Sequence, residues 1–366
     1  MSRPKKRNPT EFAVRRIMEL AHIVSAESAS PSASTERLLA LAIERVLVRG
    51  SDRPIERAVD QLDARHDHEA ADLVEFWADE AASSQLVAFE LEGNPVSGLA
   101  TAFVVPLLLV GPTANSLPLN IPMMDAVTRM TESFRRHRLV GPQPALTLLP
   151  ALYRLEDLPT SWAERRQWLN SLTQAGIGHG PVSLPTPSAE ADNRFASTDS
   201  YTIHLRFLLA VLIVRHGDHE PGPLLGADWS ELANSADLAR RVDAWQNDVA
   251  STLQTTLRNF SAVVAAPNLW TNGIGHGIRM FNQASLNATA ETFFSGTGIA
   301  PSQVLAVITW HETPDEQGWV IRLDASAPDS LIWSCVDDPR DELRAIMDIL
   351  RDLNISRMTI DEGQDL

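Results

Sequence analysis

Two long apolar runs, FVVPLLLV at residues 103–110 and FLLAVLIV at 207–214, limit most strongly what this chain can fold into. The longest apolar stretch, Leu99 to Val110, covers 12 residues and contains Pro106. That is too short for a bilayer span, which takes roughly 20 residues, and too continuous for a strand with one wetted face. A strand of this kind is buried on both faces, and helices from the same unit are its natural cover. After each run comes an amphipathic helical pattern and then a second apolar stretch, ALTLLPALY at 145–153 and SAVVAAPNLW at 261–270. Both second stretches close on Pro-x-Leu-aromatic, with Pro150, Leu152 and Tyr153 in one and Pro267, Leu269 and Trp270 in the other. The repetition predicts a duplicated α/β unit.

The remaining patterns arrange themselves around that pair. A basic tail at 1–9 carries Arg3, Lys5, Lys6 and Arg7 and reads as a solvated terminus. Residues 10–84 show only the helical period, with Leu38, Leu39, Ala42, Ile43, Val46 and Leu47 in one helix and Ile55, Val59 and Leu62 on one face of a helix opened by Pro54. Four short helices are expected there, as a small helical domain of a shape often used to dock proteins. A first α/β domain follows at 85–180, in which QLVAFELE alternates as a strand, Asn120 is placed to cap a helix, and Ser161 with Glu164 forms a capping box. PVSLPTPSAEADNRFASTDS at 181–200 reads as a linker. A second, larger α/β domain occupies 201–366, adding strands near 303–311, 319–324, 331–336 and 356–360, a hairpin around TPDEQG and a helix opened by Asp338 and Pro339. The fold class is α+β with α/β-type units: an N-terminal helical domain followed by two related strand-helix-strand-helix domains.

Composition excludes several chemistries. The single cysteine, Cys335, rules out an intrachain disulfide or a cysteine metal cluster and reads as a buried structural thiol. The only lysines are Lys5 and Lys6 in the tail, so the folded body holds no P-loop, Schiff-base or Ser-x-x-Lys lysine. A formal charge of −16 disfavours nucleic-acid binding. From His311 to Leu366 there are 14 Asp plus Glu against 5 Arg, a local charge of −9, which places more than half of that excess at the C-terminal end. No signal-peptide pattern opens the chain, so the expected location is cytoplasmic.

Two constellations are candidate sites. GIGHG occurs at 176–180 and again at 273–277, and the second copy places Gly273, Gly275 and Gly277 directly before the helical stretch that starts at Ile278. Exposed amides at a helix start bind anions, and His276 and Arg279 would add charge. The plainer reading is a flexible loop leading into a helix, because Ile278 stands where a dinucleotide fingerprint needs its third glycine. The first copy reads as the end of a helix. RHGDHE at 215–220 offers His216, Asp218, His219 and Glu220 as metal-ligand types after an apolar strand, and RHDHE at 65–69 repeats the chemistry with His66, Asp67, His68 and Glu69. His311 and Glu312 form a third such pair. The competing reading of each is a polar turn. No Gly-x-Ser-x-Gly or His-Glu-x-x-His motif is present. Trp162, Trp168, Trp270, Trp310, Trp319 and Trp333 read as core or interface anchors.

The order of these phrases, from VVPLLLV through LLPALYRLEDLPTSWAERRQW, LLAVLIVRHG and VVAAPNLW to DELRAIMDILRDLNIS, resembles an uncharacterised proteobacterial family, a domain of unknown function of the 2863 type. The likeness covers most of residues 34–360. It implies a fold and a bacterial cytoplasmic setting and transfers no site residue. The resulting expectation is a non-enzymatic protein-binding or scaffold module without a cofactor, acting through a protein partner or as a homo-oligomer, with no nucleic acid and no membrane span. The alternative is a small-ligand or metal-dependent enzyme with its site at strand ends of the second α/β domain.

Overall fold

A computed structural model of the chain describes residues 9–26, 33–91, 94–113, 123–178, 187, 195–216, 223, 235–312, 317–323, 330–336 and 338–361. The fold is α+β, and the two apolar runs form its spine. Strand β1 (Ser84–Leu91) pairs antiparallel with β2 (Asn94–Pro112), and further along the chain come β3 (Ala145–Tyr153), β4 (Phe195–Ser197) and β5 (Tyr201–Arg215). β2 and β5 lie antiparallel over 15 residue pairs, from Gly98 opposite Arg215 to Pro112 opposite Tyr201. β3 and β4 flank the far side of β5, while β1, β6 (Ser261–Val264) and β7 (Asn268–Leu269) flank β2.

The pairing is reciprocal. The strand that ends the first phrase pairs with the strand that begins the second, and the strands that end the second phrase pair with the strand that begins the first. Segments expected as separate domains at 85–180 and 201–366 therefore weave into one sheet, and the expected linker at 181–200 contributes β4 to it. The exchange covers the backbone edge that each long strand would otherwise expose. The two phrases differ by one residue in register, since Tyr153 faces Phe207 whereas Leu269, not Trp270, faces Phe103.

Helices cover both faces of this sheet, as the unbroken apolar runs require. On one face α5 (Met124–Arg136) and α7 (Ala236–Thr256) set Phe134 and Trp245 against Phe103, Val105, Leu107, Leu208 and Leu212. On the other, α6 (Trp162–Gly176) and α8 (Trp270–Thr297) set Trp168 and Trp270 against Val104, Phe207, Leu209 and Val211. Pro106 sits in the middle of β2, where a ladder N–H is normally needed. Its carbonyl accepts from the Ala265 N–H at 2.9 Å, so its nitrogen faces the gap between β6 and β7, and the proline costs β2 no bond to β5.

The four expected N-terminal helices are α1 (Pro9–Ala26), α2 (Ala33–Leu47), α3 (Arg53–Asp63) and α4 (His68–Ser83), packed around Ile17, Leu39, Ile43, Ile55, Leu62 and Val74. Helix α6 fastens this bundle to the sheet. Its first turn presents the Ala163 N–H to Asp52 Oδ1 at 2.6 Å, satisfying one of the amides a helix start leaves open. Ser161 caps the same turn by accepting from the Glu164 N–H. Trp162 Nε1 donates to Asp79 at 2.7 Å, and the buried Arg166 guanidinium donates to the carbonyls of Ala81 and Ser84 and to Glu44.

A second sheet follows α8 in the order β10-β9-β8-β11, with β8 (Leu305–Glu312), β9 (Gln317–Arg322), β10 (Leu331–Ser334) and β11 (Arg357–Asp361). β8 and β9 form the expected hairpin, and β11 runs parallel to β8. Helix α9 (Pro339–Asp352), capped by Asp338 and started by Pro339, packs on it together with the C-terminal half of α8. The 28-residue α8 thus belongs to both cores, burying Trp270 and Gly273 near one end and Leu286 and Ala290 near the other.

Candidate functional site

The second GIGHG is not a loop before a helix but the first turns of one, since α8 begins at Trp270. Gly273 and Gly277, four residues apart, form the face laid on the sheet. A Cβ on Gly273 would stand 2.9 Å from the Val104 Cβ, and one on Gly277 would stand 2.6 Å from the Phe207 ring. The glycines admit close helix-to-strand contact, and a side chain at either position would push the helix away. Gly275 faces open space. His276 is half-buried beside Arg279, and desolvation first and the Arg279 charge second lower its pKa. With Gly273 to Gly277 inside the helix, the segment is neither the flexible entry loop of the plainer reading nor a run of exposed amides at a helix start. The first GIGHG ends α6 as expected, with Gly176 as its last residue and Gly178 in the left-handed region at φ 81°.

Of the His216, Asp218, His219 and Glu220 set, only His216 is described; it lies just past β5 and its N–H donates to the Ser97 carbonyl at 2.7 Å. The other three lie outside the described residues, as does the Asn120 expected as a cap. In the 65–69 cluster the side chains pair separately, His22 with Asp67 at 2.9 Å and His68 with Asp63 at 3.0 Å. Glu312 accepts from Gln317, its neighbour across the hairpin. Among the described residues no three His, Cys, Asp or Glu side chains gather as a metal would need. Cys335 is in no disulfide and is only half-buried, just past the end of β10 rather than inside the core. The expected tryptophan anchors Trp168, Trp270, Trp319 and Trp333 are buried, while Trp162 and Trp310 are intermediate.

Two features that were not singled out from the sequence stand out in the structure. The first is the surface of the helical bundle. Among the described residues 12 large apolar side chains are exposed, and Phe12, Ile23, Leu38, Leu41, Val48 and Phe76 put half of them on residues 10–84. Helix α2 is apolar on two opposite sides. Leu39, Ile43, Val46 and Leu47 point into the bundle, while Leu38 and Leu41 share the outward arc with Arg37 and Arg45, and exposed Val48 and Arg49 follow in the turn that ends the helix. Helix α4 presents the opposite charge, with exposed Phe76 amid Asp72, Glu75, Asp79 and Glu80. Partial burial, followed by the carboxylates of Asp72, Asp63 and Asp79, raises the pKa of Glu75 above its ordinary value. α2 and α4 pack side by side in the same bundle.

The second feature is a pocket of about 540 Å³ between the end of α5 and the start of α7, lined by Arg135, Arg138, Val140, Gly141, Pro142, Pro223 and Arg241. Arg241 Nε donates to the His137 carbonyl at 3.0 Å and another of its nitrogens to the Arg138 carbonyl, so it caps the C-terminal end of α5. Next to it Asp248 gathers Ser133, Arg136 and His137, which ties α7 to α5. The hydrogen bond from His137 leads the interactions that lower the Asp248 pKa. Residues 134–138, FRRHR, and the Arg240–Arg241 pair were the sequence signal for this cluster.

Residues 2–337 match the family described as protein of unknown function DUF2863. The chain belongs to that family. The DUF2863 match takes in the bundle, the first sheet and most of the second, and it ends before α9 and β11. No curated protein and no solved structure matches the chain. Among the described residues no helix is long and apolar enough to cross a membrane.

Proposed function

We propose that this DUF2863 protein is a non-enzymatic protein-binding or scaffold module whose helical bundle is the docking element. The observation that carries the reading is the second apolar stripe of α2. An apolar surface gains free energy when it is covered, and the outward patch of Leu38 and Leu41, continued by Val48 in the turn after α2, has no cover within the chain's described residues.

Charge identifies the occupant. The stripe is edged by Arg37, Arg45 and Arg49, so it suits an acidic surface with its own exposed apolar side chain. The α4 face, with Phe76 among Asp72, Glu75 and Glu80, has that chemistry. A second copy of the chain, related by a two-fold axis, would set α2 of each protomer on α4 of the other in a self-complementary interface. The raised pKa of Glu75 fits this reading, because a carboxylate repelled by its own neighbours gains from a guanidinium supplied by a partner.

Charge reversal tests the proposal. Arg37→Glu with Arg45→Glu in one preparation, and Asp72→Arg with Glu75→Arg in another, are each expected to be monomeric, whereas an equimolar mixture forms a heterodimer. Two variants that stay monomeric when mixed would contradict it.

A further inference from the structure

We propose that the pocket between α5 and α7 binds a phosphate-bearing small molecule, with Arg135 and Arg138 as the side chains that hold the anion. The chain carries a formal charge of −16, yet among the described residues this pocket is lined by three guanidinium groups and no acidic side chain. Gathering like charges around a cavity is unfavourable unless an anion offsets it. Two arginines of this region are engaged in the fold: Arg241, in the lining, caps α5 and pairs with Asp237 at 3.8 Å, and Arg136 beside the pocket pairs with Asp248 at 2.6 Å. Arg135 and Arg138 line the pocket and, among the described residues, form no ion pair or side-chain hydrogen bond.

The backbone supplies an independent sign. Arg138 stands at φ 54°, just after α5, where the Leu139 N–H turns back to the Phe134 carbonyl at 2.9 Å. That is the helix-ending turn whose left-handed position glycine occupies at no steric cost. An arginine there costs about 1 kcal/mol, and strained residues of this kind cluster where a side chain has a task. The turn directs the residue to the mouth of a pocket whose other walls, Val140, Pro142 and Pro223, are apolar. A volume of about 540 Å³ suits a compact organic phosphate, a sugar phosphate or a mononucleotide, with the two guanidinium forks on the phosphate and the prolines against the rest.

The test uses the full chain, with inorganic pyrophosphate, AMP, adenosine, citrate and a short single-stranded oligonucleotide as probes in calorimetric titrations and thermal unfolding. AMP and pyrophosphate are expected to bind saturably and raise the melting temperature, and adenosine is expected to do neither. Arg138→Gly relieves the left-handed turn, so it is expected to hold or raise the melting temperature of the unliganded protein while weakening AMP at least about tenfold, a change of ~1.4 kcal/mol. Arg135→Gln is expected to weaken it similarly, while Arg344→Gln on α9 leaves it unchanged. The proposal is overturned if AMP and pyrophosphate fail to saturate at millimolar concentration, if the Arg135 and Arg138 variants bind as well as the parent chain, if citrate binds more tightly than pyrophosphate, or if the oligonucleotide outcompetes AMP.

Discussion

Gly273, Gly275 and Gly277 lie close together near the start of α8 and have different reasons to be there. A methyl group on Gly277 would meet the Phe207 ring at 2.6 Å and the Pro106 Cβ at 3.0 Å, whereas a methyl group on Gly275 would meet nothing. Gly277→Ala is therefore expected to destabilise the chain by about 1–3 kcal/mol, and Gly275→Ala to stabilise it by about 0.5–1 kcal/mol through helix propensity alone. Denaturant unfolding of both variants checks the pair, and effects of the same sign would remove the packing argument. His276 on the same turn gives a pH signature. Its folded pKa is lowered, so the stability it contributes is fully present above its unfolded value near 6.5 and is lost as pH falls through the folded value. The melting temperature should drop as pH falls below about 6.5, and His276→Gln should flatten that drop. The three glycines were visible in the sequence, but their placement was not. Glycine disfavours a helix locally, and only the approach to Val104 and Phe207, more than 60 residues away in sequence, reverses that preference.

Helix α6 carries the mechanical link between bundle and sheet through few side chains. Arg166 is only 4% exposed and satisfies two backbone carbonyls as well as Glu44. Burial lowers its pKa from the ordinary guanidinium value while Glu44 raises it. Arg166→Ala leaves those acceptors without their charged donor and is expected to cost at least about 2 kcal/mol, read as a lower denaturant midpoint. A change below the measurement error would show that α6 docks by apolar contact alone. Elements of this kind were largely legible in the sequence. The 3.6-residue period located α1 to α4, Ser161 and Asp338 marked the starts of α6 and α9, and the TPDEQG turn marked the β8–β9 hairpin. Strand partners were not legible. The pairing of β3 with β5 and of β6 with β2 joins segments far apart in sequence, and each strand's own apolar pattern is equally compatible with another neighbour. The arginine pocket was hidden for the same reason, since Arg135 and Arg138 reach Arg241 only when α5 and α7 lie side by side on one face of the sheet.

At the scale of the whole molecule, α6 and α8 turn a helical bundle, a seven-stranded sheet and a four-stranded sheet into a connected body. The bundle carries 6 of the 12 exposed large apolar side chains among the described residues, and the proposed association lies there. Residues 10–84 hold 15 Asp plus Glu and 8 Arg, a net charge of −7, so uniform attraction between copies is excluded. In the proposed dimer the local opposition of the α2 and α4 faces brings two bundles together, which makes the association sensitive to salt. The most direct measurement is sedimentation of the unaltered full chain over a range of concentrations, beside a Leu41→Glu, Val48→Glu variant. A reversible dimer that weakens at high salt and is absent in the variant is expected. A monomer at every concentration, or a dimer that the variant retains, would contradict it.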